Sequence, residues 1–411
     1  MNSRDRIMAA INHRQPDKIP VDLGSSTVTG ISAIAYNKLK SHLKINSPTR
    51  VFDVVQQLAN VDMEIVELFG VDALDINRVT TETDDWYEVD LADGSKAEYP
   101  SWFRPVKSSD GSWYTTDCDG LILSRMPAGA AFYDQMHFPY EKGYPDNFDN
   151  LKDSLKKISW VVHSHASNLN AAELREKLIH LKKTTDKALV MSGGAKLLEL
   201  GFFIRRMDNF LMDLMVEQEK LCEMLDILVD MHLSGLEKKI SAIGDIVDVI
   251  RFGDDLGMTS GAFMDMATFR KIFKPRYRIL CDYVKQHSNM KIFLHSCGSI
   301  RQYIPDLIEV GFDILNPVQT NCYDMDPFAL KKEFGKDITF WGGGVDTASV
   351  LNMGSPEDVR KDVLNRCQIF SSDGGFVFAP IHNILSEVSP QNIVAAYNAV
   401  REFNGDDLIE E

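Results

Sequence analysis

The sequence predicts an α/β fold: a (β/α)₈ TIM-type barrel with a β-meander insertion and N-terminal helices. Three observations lead there. Eight short apolar runs recur along the 411 residues, and amphipathic stretches separate them. The length also exceeds the roughly 250 residues of a plain barrel by enough to carry insertions. Alternation alone suits a doubly wound sheet as well, so the pattern leaves that architecture open.

The strand runs are residues 18–24, 73–77, 188–193, 247–253, 291–295, 313–317, 339–343 and 375–380. Helical periodicity covers 214–240, 267–285, 299–310, 327–334, 356–370 and 390–403. Two of these helices start on Ser-Pro, at Ser355-Pro356 and Ser389-Pro390. Ser can cap the free N–H groups there, and Pro fits the first helical position, where its missing N–H costs nothing. The rhythm breaks over 84–127. Apolar runs at 86–91, 97–102, 113–116 and 121–124 surround Asp93-Gly94 and Asp110-Gly111 turns, a hairpin signal. We expect one barrel domain over 1–411, with this meander inserted near the mouth and a linker and helical segment at about 130–185.

Charge and composition narrow the function. Lys plus Arg is 44 against 60 for Asp plus Glu, a formal net charge of −16. That balance disfavours nucleic acid and anionic membranes as general partners. No apolar run approaches the roughly 20 residues needed to span a bilayer, and the polar N-terminus does not read as a secretory leader. The six cysteines are widely scattered, which suits reduced thiols and a cytoplasmic location.

In a barrel enzyme the active site lies at the C-terminal strand ends. The eight runs end in Asp22 and Ser25; Asp75 and Asn77; Gly193, Gly194 and Lys196; Asp254 and Asp255; His295 and Cys297; Asn316 and Gln319; Gly342 to Gly344 and Asp346; His382 and Asn383. His295-Ser296-Cys297 is the sharpest of these. In extended chain, residues i and i+2 share a face, so an imidazole and a thiolate can reach one ion. His382, after the last strand, is a candidate third ligand or general acid/base; Cys322 is an alternative third ligand. Asp254 and Asp255 are candidate acid/base groups. Asp22, Asn77, Asn316, Gln319, Asp346 and Asn383 are candidate substrate contacts. The Gly342-Gly343-Gly344 turn could let a ligand approach the backbone, but it lacks the spacing of a phosphate loop.

Several strings taken in order resemble the uroporphyrinogen decarboxylase superfamily. They are Arg6-Ile7-Met8-Ala9-Ala10-Ile11-Asn12 with Pro16-Asp17-Lys18-Ile19-Pro20-Val21, His295-Ser296-Cys297-Gly298, Asn316-Pro317-Val318-Gln319, Met325-Asp326-Pro327, Gly343-Gly344-Val345-Asp346-Thr347, and His382-Asn383-Ile384 with Val388-Ser389-Pro390-Gln391-Asn392-Ile393. The resemblance implies a (β/α)₈ barrel. True decarboxylases in that superfamily use an Arg-rich segment after the first strand, and Asp22–Thr27 here contains no Arg. The resemblance therefore leans toward the zinc methyltransferase branch that works with corrinoid proteins. It implies Zn²⁺ at His295 and Cys297, with His382 where that branch has its third ligand, usually Cys. It also implies a small methylated donor or a thiol or pterin acceptor, cobalamin brought by a partner protein, and, by family analogy, a homodimer. Two other functions stay open: a metal-independent decarboxylase-like lyase, and a barrel that binds a small molecule or corrinoid partner without turnover.

Overall fold

The computed structural model describes residues 1–81, 85–159 and 169–410. Residue 84 of the expected insertion and 160–168 of the expected linker lie outside these described residues.

Seven parallel strands form one sheet. In spatial order they are Phe376–Val377, Thr339–Trp341, Ile314–Asn316, Lys291–His295, Val249–Gly253, Ala188–Gly194 and Ala73–Asp75. The eighth stave is the segment around Val21. It pairs in parallel with Phe378 on one side, and its carbonyl accepts the Asp72 N–H at 2.7 Å on the other. The ring thereby closes into the expected barrel. The run predicted at 18–24 is reduced to this bridge for a local reason. Pro20 has no N–H to give, and the Val21 N–H goes to the Asp72 carboxylate at 2.9 Å instead of to a strand carbonyl.

Side chains alternate as the two-residue strand period requires. Leu189, Met191, Ile250, Phe252, Ile292 and Leu294 pack outward against the helices. Val190, Val249, Phe293, Ile314, Trp341 and Val377 pack inward. The inner cluster also contains Ile7, Ala10 and Ile11 of the helix Ser3–Ile11, which plugs the barrel beneath the strand N-termini. Asp72 joins plug to wall. Its carboxylate accepts from Arg6 Nη1 at 2.7 Å as well as from Val21 N–H, and its carbonyl accepts Ala188 N–H at 2.9 Å.

The later helices match the sequence signals closely. Pro327–Phe334 and Pro356–Phe370 occupy their expected spans, and Ser355 and Ser389 cap their helices. Two helical expectations need correction. The stretch at 214–240 is two helices, Met207–Val216 and Gln218–Ile243, because Glu217 leaves helical dihedrals. The stretch at 267–285 contains a π turn, Phe269–Phe273, before Lys274–His287. Pro275 lacks the N–H that a regular α turn would use there. The meander is also longer than expected and forms two sheets. Trp86–Asp90 pairs with Lys96–Pro100. A second sheet joins Val106–Lys107, Trp113–Thr116, Ile122–Met126 and Asp134–Gln135. Among the described residues no helix is long and apolar enough to cross a membrane.

Asp72 is 3% exposed, and its loss would leave the buried Val21 N–H unpaired and take one of the two carboxylates, Asp72 and Asp17, that hold Arg6. Asp72→Ala should lower the unfolding free energy by about 2–4 kcal/mol, as read from urea melts. A loss below about 1 kcal/mol would show that plug and seam do not depend on this carboxylate.

Candidate metal centre

His295 ends the strand Lys291–His295 with its ring inside the barrel, buried and beside Asn316 on the neighbouring strand. Asn316 Nδ2 donates to the Trp341 carbonyl at 2.7 Å, so the amide oxygen faces the imidazole. His295 Nδ1 lies 2.5 Å from that oxygen and must be the donor. The ring proton is therefore held on Nδ1, and the Nε2 lone pair is left toward the mouth. Burial, first, holds His295 well below the ordinary imidazole range, at about 4, against the opposing effect of the Asn316 bond.

Cys297 follows on the same side of the chain. Its Sγ lies 3.4 Å from His295 Nε2, and its N–H donates to Asp255 Oδ1 at 2.8 Å. Asp255 Oδ1 is also 3.6 Å from His295 Nε2. Burial and then the Asp255 charge push the Cys297 thiol well above its ordinary range. A lone pair, a sulfur and a carboxylate oxygen this close repel one another unless a proton or cation lies among them. The Gly298 turn makes the arrangement possible. At φ +89 it takes a left-handed conformation, and a Cβ there would fall 2.3 Å from the Gly257 backbone. Gln319 Oε1 then accepts the Gly298 N–H at 2.8 Å and pins the turn.

His382 completes a trio. Ligand atoms of His295, Cys297 and His382 lie within 4.8 Å of one another, and the two imidazole rings are 5.2 Å apart. His382 holds a left-handed φ of +67 and Val318 one of +58, backbone strain of the kind that collects at functional sites. His382 Nδ1 accepts the Asn383 N–H at 2.8 Å. In the neutral ring that puts the proton on Nε2, so His382 joins a metal only once the proton leaves or the ring turns. Burial, then the neighbouring His295, holds it at about 4.

The donors suit zinc. Zn–N near 2.0–2.1 Å and Zn–S near 2.3 Å imply tetrahedral donor separations of roughly 3.3–3.7 Å. The His295–Cys297 pair meets this at 3.4 Å; the wider trio would draw in slightly. Among the described residues, Cys322 is not part of the trio.

The other candidates are placed differently. Asp254 is fully buried and accepts from the N–H groups of Leu197, Leu198 and Glu199 and from Tyr277 Oη. It caps the helix Leu198–Arg205, and burial pushes it up to about 7 against those donors. Asp22 is held by Ser25 and by Trp341 Nε1 at 2.8 Å. Asp346 caps its own turn through Ala348 and Ser349. Asn383 bridges Gly30 N–H, the Thr27 carbonyl and Gln56. Asn77 is half-buried, its N–H on Asp75. The glycine turn is approached by the chain itself: a Cβ on Gly342, at φ +123, would meet the Pro317 carbonyl at 2.4 Å.

Sequence reasoning passed over three features. Arg251 stands inside the barrel, and the signal was available: a lone Arg in the apolar run Val-Ile-Arg-Phe-Gly. Glu199, paired with Lys196 at 2.7 Å, adds negative charge beside both histidines and Cys297. Asp230-Met231-His232-Leu233-Ser234-Gly235 has the D-x-H-x-x-G spacing associated with cobalamin modules. It lies within the helix Gln218–Ile243, and His232 Nε2 is 2.8 Å from the Lys196 carbonyl oxygen, so this stretch does not form a cofactor loop of its own.

One pH dependence follows for metal-free protein. Both histidines titrate below their unfolded value of 6.5. The unfolded chain therefore binds more protons between about pH 6.5 and 4, so stability is full above that window and falls as pH drops through it. Histidine-resolved NMR should find His295 still neutral at pH 5; a midpoint near 6.5 would refute the buried-tautomer assignment.

Comparison with known proteins agrees with this architecture. A solved methyltransferase from Methanosarcina mazei shares the fold with a TM-score of 0.59 at 19% identity, over 98% of this chain and 99% of that one. No curated protein sequence matches. The family model of uroporphyrinogen decarboxylase (URO-D) matches residues 189–403. That span runs from the strand Ala188–Gly194 through the His295–Cys297 turn and His382 into the last helix, and by it the chain belongs to the URO-D family.

Proposed function

We propose that this chain is a zinc-dependent methyltransferase that moves a methyl group between a small methylated substrate, or a thiol or pterin acceptor, and a corrinoid protein. The convergence of His295, Cys297 and His382 ligand atoms within 4.8 Å carries the reading. The fold shared with the Methanosarcina mazei methyltransferase supports it. Zn²⁺, when bound, supplies a Lewis acid that stabilises the anion of a thiol or hydroxyl at neutral pH.

The chain's own groups supply the rest. Asn316 fixes the His295 tautomer so that Nε2 is available. Asp255 Oδ1 sits beside both donors, where it can take the proton that a thiol gives up. Ser192, two residues before the end of its strand, is exposed, and it is over that end of the barrel that a substrate would enter and a corrinoid domain would dock. The cobalamin would arrive on that partner, in the cytoplasm.

A second reading has one observation behind it. The Nε2–H left on His382 is a hydrogen-bond donor beside His295, which a metal-independent lyase could use to orient a substrate carboxylate.

Metal analysis separates the two. The purified protein should carry about one zinc per chain, and Cys297→Ala should lose both the metal and the consumption of the methylcobalamin Co–C band. His382→Ala should weaken zinc less than Cys297→Ala does. Asn316→Ala should cost about 10–100-fold in zinc affinity. Full methyl transfer by a metal-free Cys297→Ala protein would sink the zinc reading, and an unchanged Co–C band with wild-type protein would leave a binder without turnover.

A further inference from the structure

One charged side chain inside the barrel has no part in the metal centre. Arg251 takes an inward position on Val249–Gly253, in register with Ser192 on one side and Phe293 on the other. It is 8% exposed. Nη2 donates to Ser192 Oγ at 3.1 Å, while Nε is buried without a partner. Among the described residues no carboxylate makes an ion pair with it. Asp53, Asp75 and Glu199 are close enough for their charge to act on it, yet each already accepts from another donor: Val55 and Gln56 N–H, Asn77 N–H, and Lys196 respectively.

A guanidinium taken from water with donors unused is unfavourable unless something fills them. Gly253 has no side chain where a Cβ would lie 3.1 Å from Arg251 Nη1 and 3.9 Å from His295 Cβ. Arg251 and His295 therefore approach one point on the inner wall with no side chain between them, and Ser192, which Arg251 contacts, is exposed.

We propose that Arg251 anchors a carboxylate of the substrate, which is then a small methylated carboxylic acid. The planar fork of Arg matches a carboxylate's two oxygens. Three acids nearby favour a singly charged group over a phosphate dianion. With its carboxylate on Arg251, a short molecule presents its far end toward His295 and Cys297. Only the methyl group in this statement rests on the methyltransferase reading; the carboxylate anchor does not.

The test uses the purified full chain, as isolated and again after chelation, with benzoate and benzamide as probes of equal size and different charge. Ligand-observed NMR titration should show benzoate bound about 10–100-fold tighter than benzamide, with or without zinc. The preference should vanish in Arg251→Gln, whose melting temperature should equal or exceed that of the wild type, because a buried unpaired charge has been removed. Arg251→Lys keeps the charge without the fork and should retain part of the preference; it carries the same comparison if Arg251→Gln does not fold. Equal binding of the two probes, binding of neither, or an undiminished preference in Arg251→Gln would overturn the proposal. Loss of zinc in the Cys297→Ala protein bears on the metal centre alone, so the two readings fail separately.

Discussion

Asp72 holds the seam on which the rest of the molecule depends. Its backbone N–H closes the barrel onto the Val21 carbonyl, its carboxylate takes the Val21 N–H and Arg6, and its carbonyl receives Ala188. A parallel sheet that curls on itself must join its first and last staves. Here the first stave is one bridge long, and a buried carboxylate supplies a contact that a longer ladder would have made. The plug helix is tied to the same point. Closure and plug together leave the C-terminal strand ends as the face on which polar groups can meet.

At that face, the chemistry follows from which groups already have partners. Asp22, Asp254, Asp346 and Asn383 spend their oxygens on backbone and indole N–H groups close by. They shape loops and cap helices. His295 Nε2, Cys297 Sγ and Asp255 Oδ1 instead face one another at 3.4–3.6 Å. Gathered this way they need a proton or a cation among them, and the Cys297 thiol supplies the proton where no cation is bound. Arg251 is the converse, a buried donor whose Nη1 approaches the same stretch of wall as His295. A site with cation-seeking atoms on one wall and an anion-seeking group on another is matched to a ligand with polar character at both ends.

Much of the fold was legible in the sequence. Period-two apolar runs and capped helices reproduce the strand order from Ala73 to Val377, because hydrophobic periodicity is local and is written once per residue. The misjudged places were the first stave, where Pro20 and the Asp72 carboxylate break the ladder, the break at Glu217, and the extra meander strands at Val106–Lys107 and Asp134–Gln135. None of these has a local signature strong enough to read.

The site divides in the same way. By itself the sequence determined that an imidazole and a thiol two residues apart would share a face at a strand end, and that His382 would follow the last strand. Only the tertiary structure decided that Asn316 sets the His295 proton, that Asp255 turns toward His295 and Cys297 while Asp254 caps a helix, and that Gly253 puts no side chain between Arg251 and His295. Adjacent residues leave a strand in opposite directions, and which of two carboxylates finds free donors depends on chain more than forty residues away.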